Sequence, residues 1–165
     1  MGESELTRDF RSEAEFVDFA SQMAQRLRAA ACHPLLVGLC GALGTGKTTW
    51  TRALLRGLGY RGRVPSPTYT LLEQYACDGL SVVHLDLYRL AAEAELENLG
   101  LRDWLAQPAT WLLVEWVERA PRLAAACDLA LDFTDLGDGA RRVVFSARTA
   151  AGIHALQQSA DLRVN

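Results

Sequence analysis

One segment of this sequence restricts the fold more than any other, because a glycine-rich loop lies between a strand-like run and a helix-like run. Leu35–Cys40 is apolar and of strand length, and the residues after Thr48 are apolar at helical spacing until Gly59. Residues 41–48 between them read Gly-Ala-Leu-Gly-Thr-Gly-Lys-Thr and match the G-x-x-x-x-G-K-[ST] pattern. The sequence therefore predicts a P-loop in its strand–loop–helix context, which binds the phosphates of a nucleotide.

Each residue type of this loop has a physical role in holding phosphate. Glycines let the backbone turn so that successive N–H groups face inward, and the N-terminus of the following helix adds partial positive charge. The motif predicts that Lys47 binds the β- and γ-phosphates and that the Thr48 hydroxyl is a ligand of Mg²⁺. Lys47 is the only lysine of the chain, and a compact ammonium suits this position better than a planar guanidinium. The predicted phosphate-binding residues are Gly41, Leu43, Gly44, Thr45, Gly46, Lys47, Thr48 and Thr49.

Two acidic residues follow apolar runs of strand length. Residues 81–85 lead into Asp86, and residues 111–114 lead into Glu115. In a parallel sheet both would lie at the rim that carries the P-loop. One carboxylate would hold Mg²⁺, directly or through water, and the other would orient the attacking water, but the sequence leaves the two roles unassigned. His84, on the first of these runs, is predicted to be a hydrogen-bonded core residue rather than an acid or base.

The remaining patterns predict an α/β architecture. Ser12 begins a capping box, and apolar residues at helical spacing continue from it to about Ala31. Residues 69–75 are predicted as a strand that an Asp78-Gly79 turn joins to the next strand, and residues 129–133 and 142–147 are predicted as the two strands of a second hairpin. Because two hairpin signals interrupt the parallel pattern, we expect a three-layer P-loop NTPase-like fold with a mixed, mostly parallel central sheet.

Composition supports one folded domain over residues 1–165 and excludes several classes of protein. The chain is 50% hydrophobic and 22% charged, which excludes a disordered protein. No apolar run approaches the roughly 18 residues that span a membrane, and residues 1–5 carry acid rather than a secretory signal. We therefore expect a cytoplasmic protein that has no membrane partner.

The net charge of −3 is unevenly distributed along the chain. Residues 19–72 contain no acidic residue and seven basic ones, which creates a positive potential suited to an anion, although a solvated surface has the same pattern. GTPases read guanine with an N-K-x-D motif, and a chain with one lysine, in its P-loop, lacks that motif. ATP is therefore the predicted nucleotide.

Four motifs, in this order along the chain, together resemble one known family. They are the P-loop at residues 41–49, Val-Pro-Ser-Pro-Thr-Tyr at 64–69, His-Leu-Asp-Leu-Tyr-Arg at 84–89 and Glu-Trp at 115–116. This combination is much more specific than a P-loop alone, and it resembles the bacterial TsaE (YjeE) family of tRNA threonylcarbamoyladenosine biosynthesis proteins. The resemblance covers residues 35–121, just over half of the chain.

The resemblance implies a small ATPase that uses ATP and Mg²⁺ and is weakly active on its own. Proteins of this family work with TsaB and TsaD, which install threonylcarbamoyl on the adenosine next to the tRNA anticodon. The resemblance implies that this chain does not transfer that group itself. Its ATP cycle would support turnover of the complex, and its contact with tRNA would be indirect, through the complex.

The same resemblance implies a role for individual residues outside the P-loop. Ser66 and Thr68 would form a switch-like loop near the γ-phosphate, and Trp116 would lie against adenine. Asp86 and Glu115 would supply the carboxylates for Mg²⁺ and water. The implied catalytic residues are Lys47, Ser66, Thr68, Asp86 and Glu115, and the implied metal ligands are Thr48, Asp86 and Glu115.

Three other functions remain open on the sequence alone. A small-molecule P-loop kinase has a similar size, but it needs a lid and paired arginines for its acceptor, and Arg119 and Arg122 are the only candidates. An ATP-gated interaction module would bind nucleotide without significant turnover. Direct contact with tRNA through the arginines of residues 52–63 would show a strong salt dependence.

Overall fold

The computed structural model describes residues 4–163 and shows a seven-stranded sheet within that range. Residues 1–3, on which part of the prediction of no secretory signal depends, lie outside the described residues. The strands are β1 (Ser4–Phe10), β2 (Leu35–Cys40), β3 (Leu72–Cys77), β4 (Leu80–Asp86), β5 (Thr110–Glu115), β6 (Leu129–Gly137) and β7 (Ala140–Ala147). The α-helices are α1 (Glu13–Ala29), α2 (Lys47–Gly57), α3 (Leu101–Leu105), α4 (Pro121–Ala126) and α5 (Ala150–Ser159), and short 3₁₀ segments span Glu93–Leu99 and Val117–Arg119.

The centre of the sheet is parallel and both of its margins are antiparallel. The strand order is β1-β7-β6-β2-β5-β4-β3. The pairs β6–β2, β2–β5 and β5–β4 are parallel, whereas β1–β7, β7–β6 and β4–β3 are antiparallel. The predicted mixed α/β sheet is therefore confirmed, and its parallel part is the four-strand centre. Because β2 lies in that centre, the P-loop that follows β2 lies between the ends of β6 and β5.

Helices cover the two faces of the sheet and make it the middle of three layers. One apolar cluster joins the sheet to α1, α2 and α5, and it contains a group of edge-to-face aromatic rings around Trp50. A second cluster joins the other face to α3, α4 and the 3₁₀ segments. Within residues 4–163, no helix is long and apolar enough to cross a membrane.

The helix predicted from the Ser12 capping signal and the helix predicted after the P-loop are both confirmed. Ser12 is the N-cap of α1, and its hydroxyl accepts a hydrogen bond of 3.2 Å from the Glu15 amide. The helix after the P-loop, α2, ends at Gly57, and Gly59 has a φ of 87°, which agrees with the predicted stop.

Two features of the structure differ from the sequence-based expectations. Strand β1 was not predicted, because its alternate residues are only half-buried and its sole fully buried side chain is Phe10. The strand predicted over residues 69–75 begins only at Leu72 and continues to Cys77. Residues 69–71 form a turn instead, in which Leu71 has a φ of 69° and its amide donates to the carbonyl of Pro67. This turn directs the preceding residues towards the end of β4.

Candidate functional site

The two predicted carboxylates lie side by side at the rim of the sheet. Asp86 is the last residue of β4, Glu115 is the last residue of β5, and the parallel register places them directly opposite each other. Both residues are almost completely buried. Because β5 also pairs with β2, Glu115 lies next to the strand that leads into the P-loop. The topology thus brings together side chains that are far apart in the sequence.

The P-loop has the backbone conformation for which its glycines are needed. Gly41 and Gly46 have φ values of 134° and 108°, which side-chain-bearing residues rarely adopt. Gly41 is also required for space, because a Cβ at that position would lie 2.6 Å from the carbonyl oxygen of Phe133. The buried Thr45 stabilises the turn from within the loop, since its hydroxyl donates to the Ala42 carbonyl at 2.8 Å.

The ammonium group of Lys47 is held inside the loop. It donates to the carbonyl oxygens of Gly41 and Ala42 at 2.6 and 2.8 Å. Burial lowers the pKa of Lys47 below its usual value, and the negative charges nearby, with Glu115 first among them, oppose that shift. A bound polyphosphate would act in the same direction as Glu115 and favour the charged ammonium.

Glu115 is the centre of a buried hydrogen-bond network. The Thr48 hydroxyl lies 2.8 and 3.0 Å from its two carboxylate oxygens and donates to them. The imidazole Nε2 of His84 lies 2.7 Å from Oε1, and His84 has no exposed surface. The prediction that His84 is a hydrogen-bonded core residue is confirmed, and its partner is the carboxylate of the site. The sequence carried no signal for that pairing, because it depends on the register of β4 and β5.

Asp86 is the centre of a second network, which includes the residues just before the turn at residues 69–71. Its Oδ2 accepts a hydrogen bond of 2.9 Å from the Thr68 hydroxyl, and its Oδ1 accepts one of 2.8 Å from the Tyr88 amide. Ser66 extends the network, since its hydroxyl lies 2.8 Å from that of Thr68. The structure therefore brings Ser66 and Thr68 to Asp86, although their roles in catalysis stay predictions.

Trp116 lies beside Lys47 in the site. The centre of its ring is 4.0 Å from the Lys47 ammonium, within the range of a cation–π interaction. It has a φ of 57°, and its amide donates to the Leu39 carbonyl at 2.9 Å, so the backbone sets the direction of the side chain. This placement beside the predicted β- and γ-phosphate ligand differs from the expected contact with adenine, which stays a prediction.

The Trp116→Ala variant is expected to bind ATP more weakly than the wild type without a change in fold. The reason is that the ring contacts the ammonium group of Lys47 and forms part of the lining of the cleft. Competition binding with ATP and with inorganic triphosphate separates the two possible origins of the loss. If the ring acts through Lys47, both ligands lose affinity equally; if it stacks on adenine, only ATP loses affinity. An unchanged Kd for both ligands would contradict any role in binding.

These side chains line one cleft of ≈ 260 Å³ at the rim of the sheet. Two residues of its wall were not among the predicted site residues, Tyr88 and Arg141. Tyr88 directly precedes the last residue of the 84–89 motif, but Arg141 comes from β7, and no motif marks it. The predicted residues that line the cleft are Leu43, Gly44, Gly46, Lys47, Thr48, Thr49, Ser66, Thr68, Asp86, Glu115 and Trp116. Gly41 and Thr45 belong to the loop but do not line the cleft.

The donor atoms around Thr48 fit a magnesium ion. The Thr48 hydroxyl, the Glu115 carboxylate in contact with it and the Asp86 carboxylate in the same cleft are hard oxygen donors, and Mg²⁺ is normally held by one or two such groups together with waters and substrate phosphates. Within residues 4–163, no three His, Cys, Asp or Glu side chains group closely enough to hold a metal without such help. The site thus has the chemistry for a cation that arrives with a nucleotide.

Comparisons with known proteins give one consistent result. A family model described as threonylcarbamoyl adenosine biosynthesis protein TsaE matches residues 10–143. The chain is 38% identical over 148 residues to a tRNA threonylcarbamoyladenosine biosynthesis protein TsaE from Haemophilus influenzae, which covers 89% of this chain and 92% of that protein. It is 35% identical over 123 residues to the protein of the same name from Bacillus subtilis, with 74% and 76% covered.

The structural comparison concerns the fold alone. A crystal structure of YdiB from Bacillus subtilis superimposes with a TM-score of 0.75 over 97% of both chains, at 22% sequence identity. The mixed sheet and its flanking helices are therefore an arrangement already seen in a solved structure.

Proposed function

Because the chain belongs to the TsaE family of tRNA threonylcarbamoyladenosine biosynthesis proteins, we propose that it is a Mg²⁺-dependent ATPase whose cycle supports that modification. Its partners in this proposal are TsaD and TsaB, and tRNA is reached through that complex. The chain does not itself transfer the threonylcarbamoyl group. A role directed at tRNA supports a cytoplasmic location.

One observation carries the proposal, the hydrogen bond between Thr48 of the P-loop and Glu115 at the end of β5. A P-loop hydroxyl and a strand-end carboxylate in contact are the parts that hold the cation of a nucleotide in P-loop enzymes. Lys47 lies in the same cleft, where it would bind the β- and γ-phosphates. Bound Mg²⁺ would supply positive charge to the phosphate oxygens as they become more negative.

The two networks support different roles for the two carboxylates. We assign the binding of Mg²⁺ to Glu115, because the Thr48 hydroxyl contacts its carboxylate directly and His84 orients that carboxylate. We assign the orientation of the attacking water to Asp86, because its carboxylate contacts the hydroxyl of Thr68 in the predicted switch-like loop. Asp86 would orient a water molecule for attack on the γ-phosphate, with Thr68 and Ser66 fixing the direction of its carboxylate.

The alternative of a small-molecule kinase receives no support from the two candidate arginines. Arg119 lies over the ring of Tyr88 at 5.9 Å, and Arg122 lines a separate groove together with Glu93. Neither is part of the wall of the cleft formed by the described residues. An acceptor pocket with paired arginines is therefore not assembled at the site.

Two of the four arginines in the basic stretch make hydrogen bonds within the protein, which bears on the alternative of direct contact with tRNA. Arg52 donates to the Val64 carbonyl, and Arg56 donates to the carbonyls of Tyr60 and Gly62. These two arginines thus hold the loop after α2 in place. Arg61 and Arg63 of the same stretch are exposed, so the salt dependence of any tRNA binding is the test of this alternative.

Phosphate release from Mg-ATP tests the proposal. The purified chain is assayed alone and with a TsaB–TsaD pair, and Lys47→Ala is the control. We expect slow release by the chain alone, stimulation by the pair, and loss of both in Lys47→Ala. Binding of ATP without stimulated release would instead favour an ATP-gated interaction module. Transfer of phosphate to a small molecule would favour a kinase.

A further inference from the structure

Arg141 contributes a second cation to the cleft, on the side away from the two carboxylates. It is the second residue of β7, and its side chain is only 14% exposed. The guanidinium lies 4.9 Å from the centre of the Phe16 ring, and one of its nitrogens is 3.2 Å from the Glu13 carboxylate. Glu13 is largely exposed, so this ion pair is solvent-screened and contributes little stability.

The position of Arg141 along the cleft follows from the strand order. Strand β7 is two places from β2 on one side, whereas β5 and β4, which carry Glu115 and Asp86, lie on the other side. A Cβ placed on Gly46 would be only 3.3 Å from Nε of Arg141, so the guanidinium borders the loop next to Lys47. It therefore faces the end of the cleft opposite the carboxylate pair.

The guanidinium also has an unused hydrogen-bond donor. Its Nη1 is buried and has no partner within the described residues, which is unfavourable for a charged group. The Phe16 ring lies on one side of the guanidinium and offers it no hydrogen-bond acceptor, so this donor needs a partner from elsewhere. Because the side chain lines the cleft, an oxygen of a ligand bound there is the partner that this donor lacks.

We propose that Arg141 binds the α-phosphate of the nucleotide. The forked donors of arginine match phosphate oxygens. In the proposed function, Lys47 and the Mg²⁺ held by Thr48 and Glu115 bind the β- and γ-phosphates. The end of the cleft near β7 is therefore left for the α-phosphate. Without Arg141, the charges lining the cleft would be one lysine against two carboxylates, which would repel a polyphosphate. This inference depends on the proposed function, because it names a further ligand of the same nucleotide.

Competition binding with ATP, ADP, AMP and adenosine tests the proposal on the full chain. Arg141→Met keeps the apolar stem on Phe16 and removes the charge. We expect its Kd to rise about ten-fold for each of the three phosphate-bearing ligands and to stay unchanged for adenosine. Thermal unfolding of the variant checks that the fold is retained.

Arg142→Ala is the matched control. Arg142 is the next residue on the same strand, and it makes a bidentate ion pair with Asp9 on the protein surface. Its removal changes the net charge equally but leaves the cleft intact, so we expect wild-type affinities.

Three outcomes would overturn the inference. They are an unchanged Kd for ATP in Arg141→Met, a loss confined to ATP, which would place the guanidinium at the γ-phosphate, and an equal loss for adenosine, which would place it at the nucleoside. The affinity of Lys47→Ala for ATP shows whether such an outcome concerns Arg141 alone or the proposed function as a whole. If the wild type binds ATP no better than Lys47→Ala, the nucleotide site itself is wrong, and this inference falls with it.

Discussion

Replacing Asp86 with asparagine is expected to lower the rate of ATP hydrolysis about 100-fold, while the affinity for ATP changes little. The rate falls because an amide cannot accept the proton or orient the attacking water as a carboxylate does. The affinity is retained because asparagine has nearly the same shape, so its oxygen still accepts from the Tyr88 amide and its amide group still contacts Thr68. Phosphate release in the presence of the partner proteins and equilibrium binding of ATP measure the two effects separately.

Glu115→Gln is the matched comparison, because it makes the same change at the neighbouring strand end. If Glu115 serves the magnesium side, its loss raises the Mg²⁺ concentration needed for half-maximal hydrolysis, and excess Mg²⁺ restores part of the rate. The rate of Asp86→Asn is not restored in this way. Recovery of Asp86→Asn at high Mg²⁺, with none for Glu115→Gln, would reverse the two assignments. A wild-type rate for either variant would remove that residue from the mechanism.

Gly152→Ala is expected to reduce the free energy of unfolding by about 3 kcal/mol. Gly152 lies in the first turn of α5, where alanine is ordinarily the better helix former. Here, however, an added Cβ would lie 1.8 Å from the carbonyl oxygen of Asp128. The clash is with backbone, which cannot swing away as a side chain would.

The backbone at Asp128 is held by several hydrogen bonds, so a shift of this backbone would cost free energy. Its amide donates to the Leu36 carbonyl, and its carbonyl accepts from the Arg148 amide. Its carboxylate accepts from the Leu36 amide at 2.8 Å and from the Thr149 hydroxyl at 2.6 Å. The residue thus ties β2 to the start of α5, and a shift that accommodates alanine disturbs both.

Urea unfolding measures this effect. Gln157→Ala provides the control, because it adds an alanine to an exposed position of the same helix and is expected to change stability by less than about 0.5 kcal/mol. A Gly152→Ala protein as stable as the wild type would mean that α5 can move outward from Asp128 without cost. If α5 instead separates from the sheet, the variant unfolds with a shallower dependence on urea.

Sequence patterns predicted the elements in which local spacing is sufficient. The strand before the P-loop, the helix after it and the Ser12 cap are each determined by residues within about one or two turns of chain, and the structure confirms them. The turn at residues 69–71 was predicted wrongly as strand. The positive φ of Leu71 and the hydrogen bond from its amide to the Pro67 carbonyl make the turn, and the hydrogen bond from the Asp86 amide to the Leu71 carbonyl marks the point at which the pairing of β3 with β4 begins.

The P-loop motif, the two strand ends that carry carboxylates and the α/β class could be predicted without a structure, because each is a pattern of neighbours along the chain. The tertiary structure decided which groups meet. Strand register put His84 on Glu115, and the P-loop put Thr48, in the first turn of α2, on the same carboxylate. The turn put Thr68 on Asp86, and β7 brought Arg141 to the loop from nearly a hundred residues away in sequence. Such contacts depend on strand order and register across the whole sheet, which short-range periodicity does not encode.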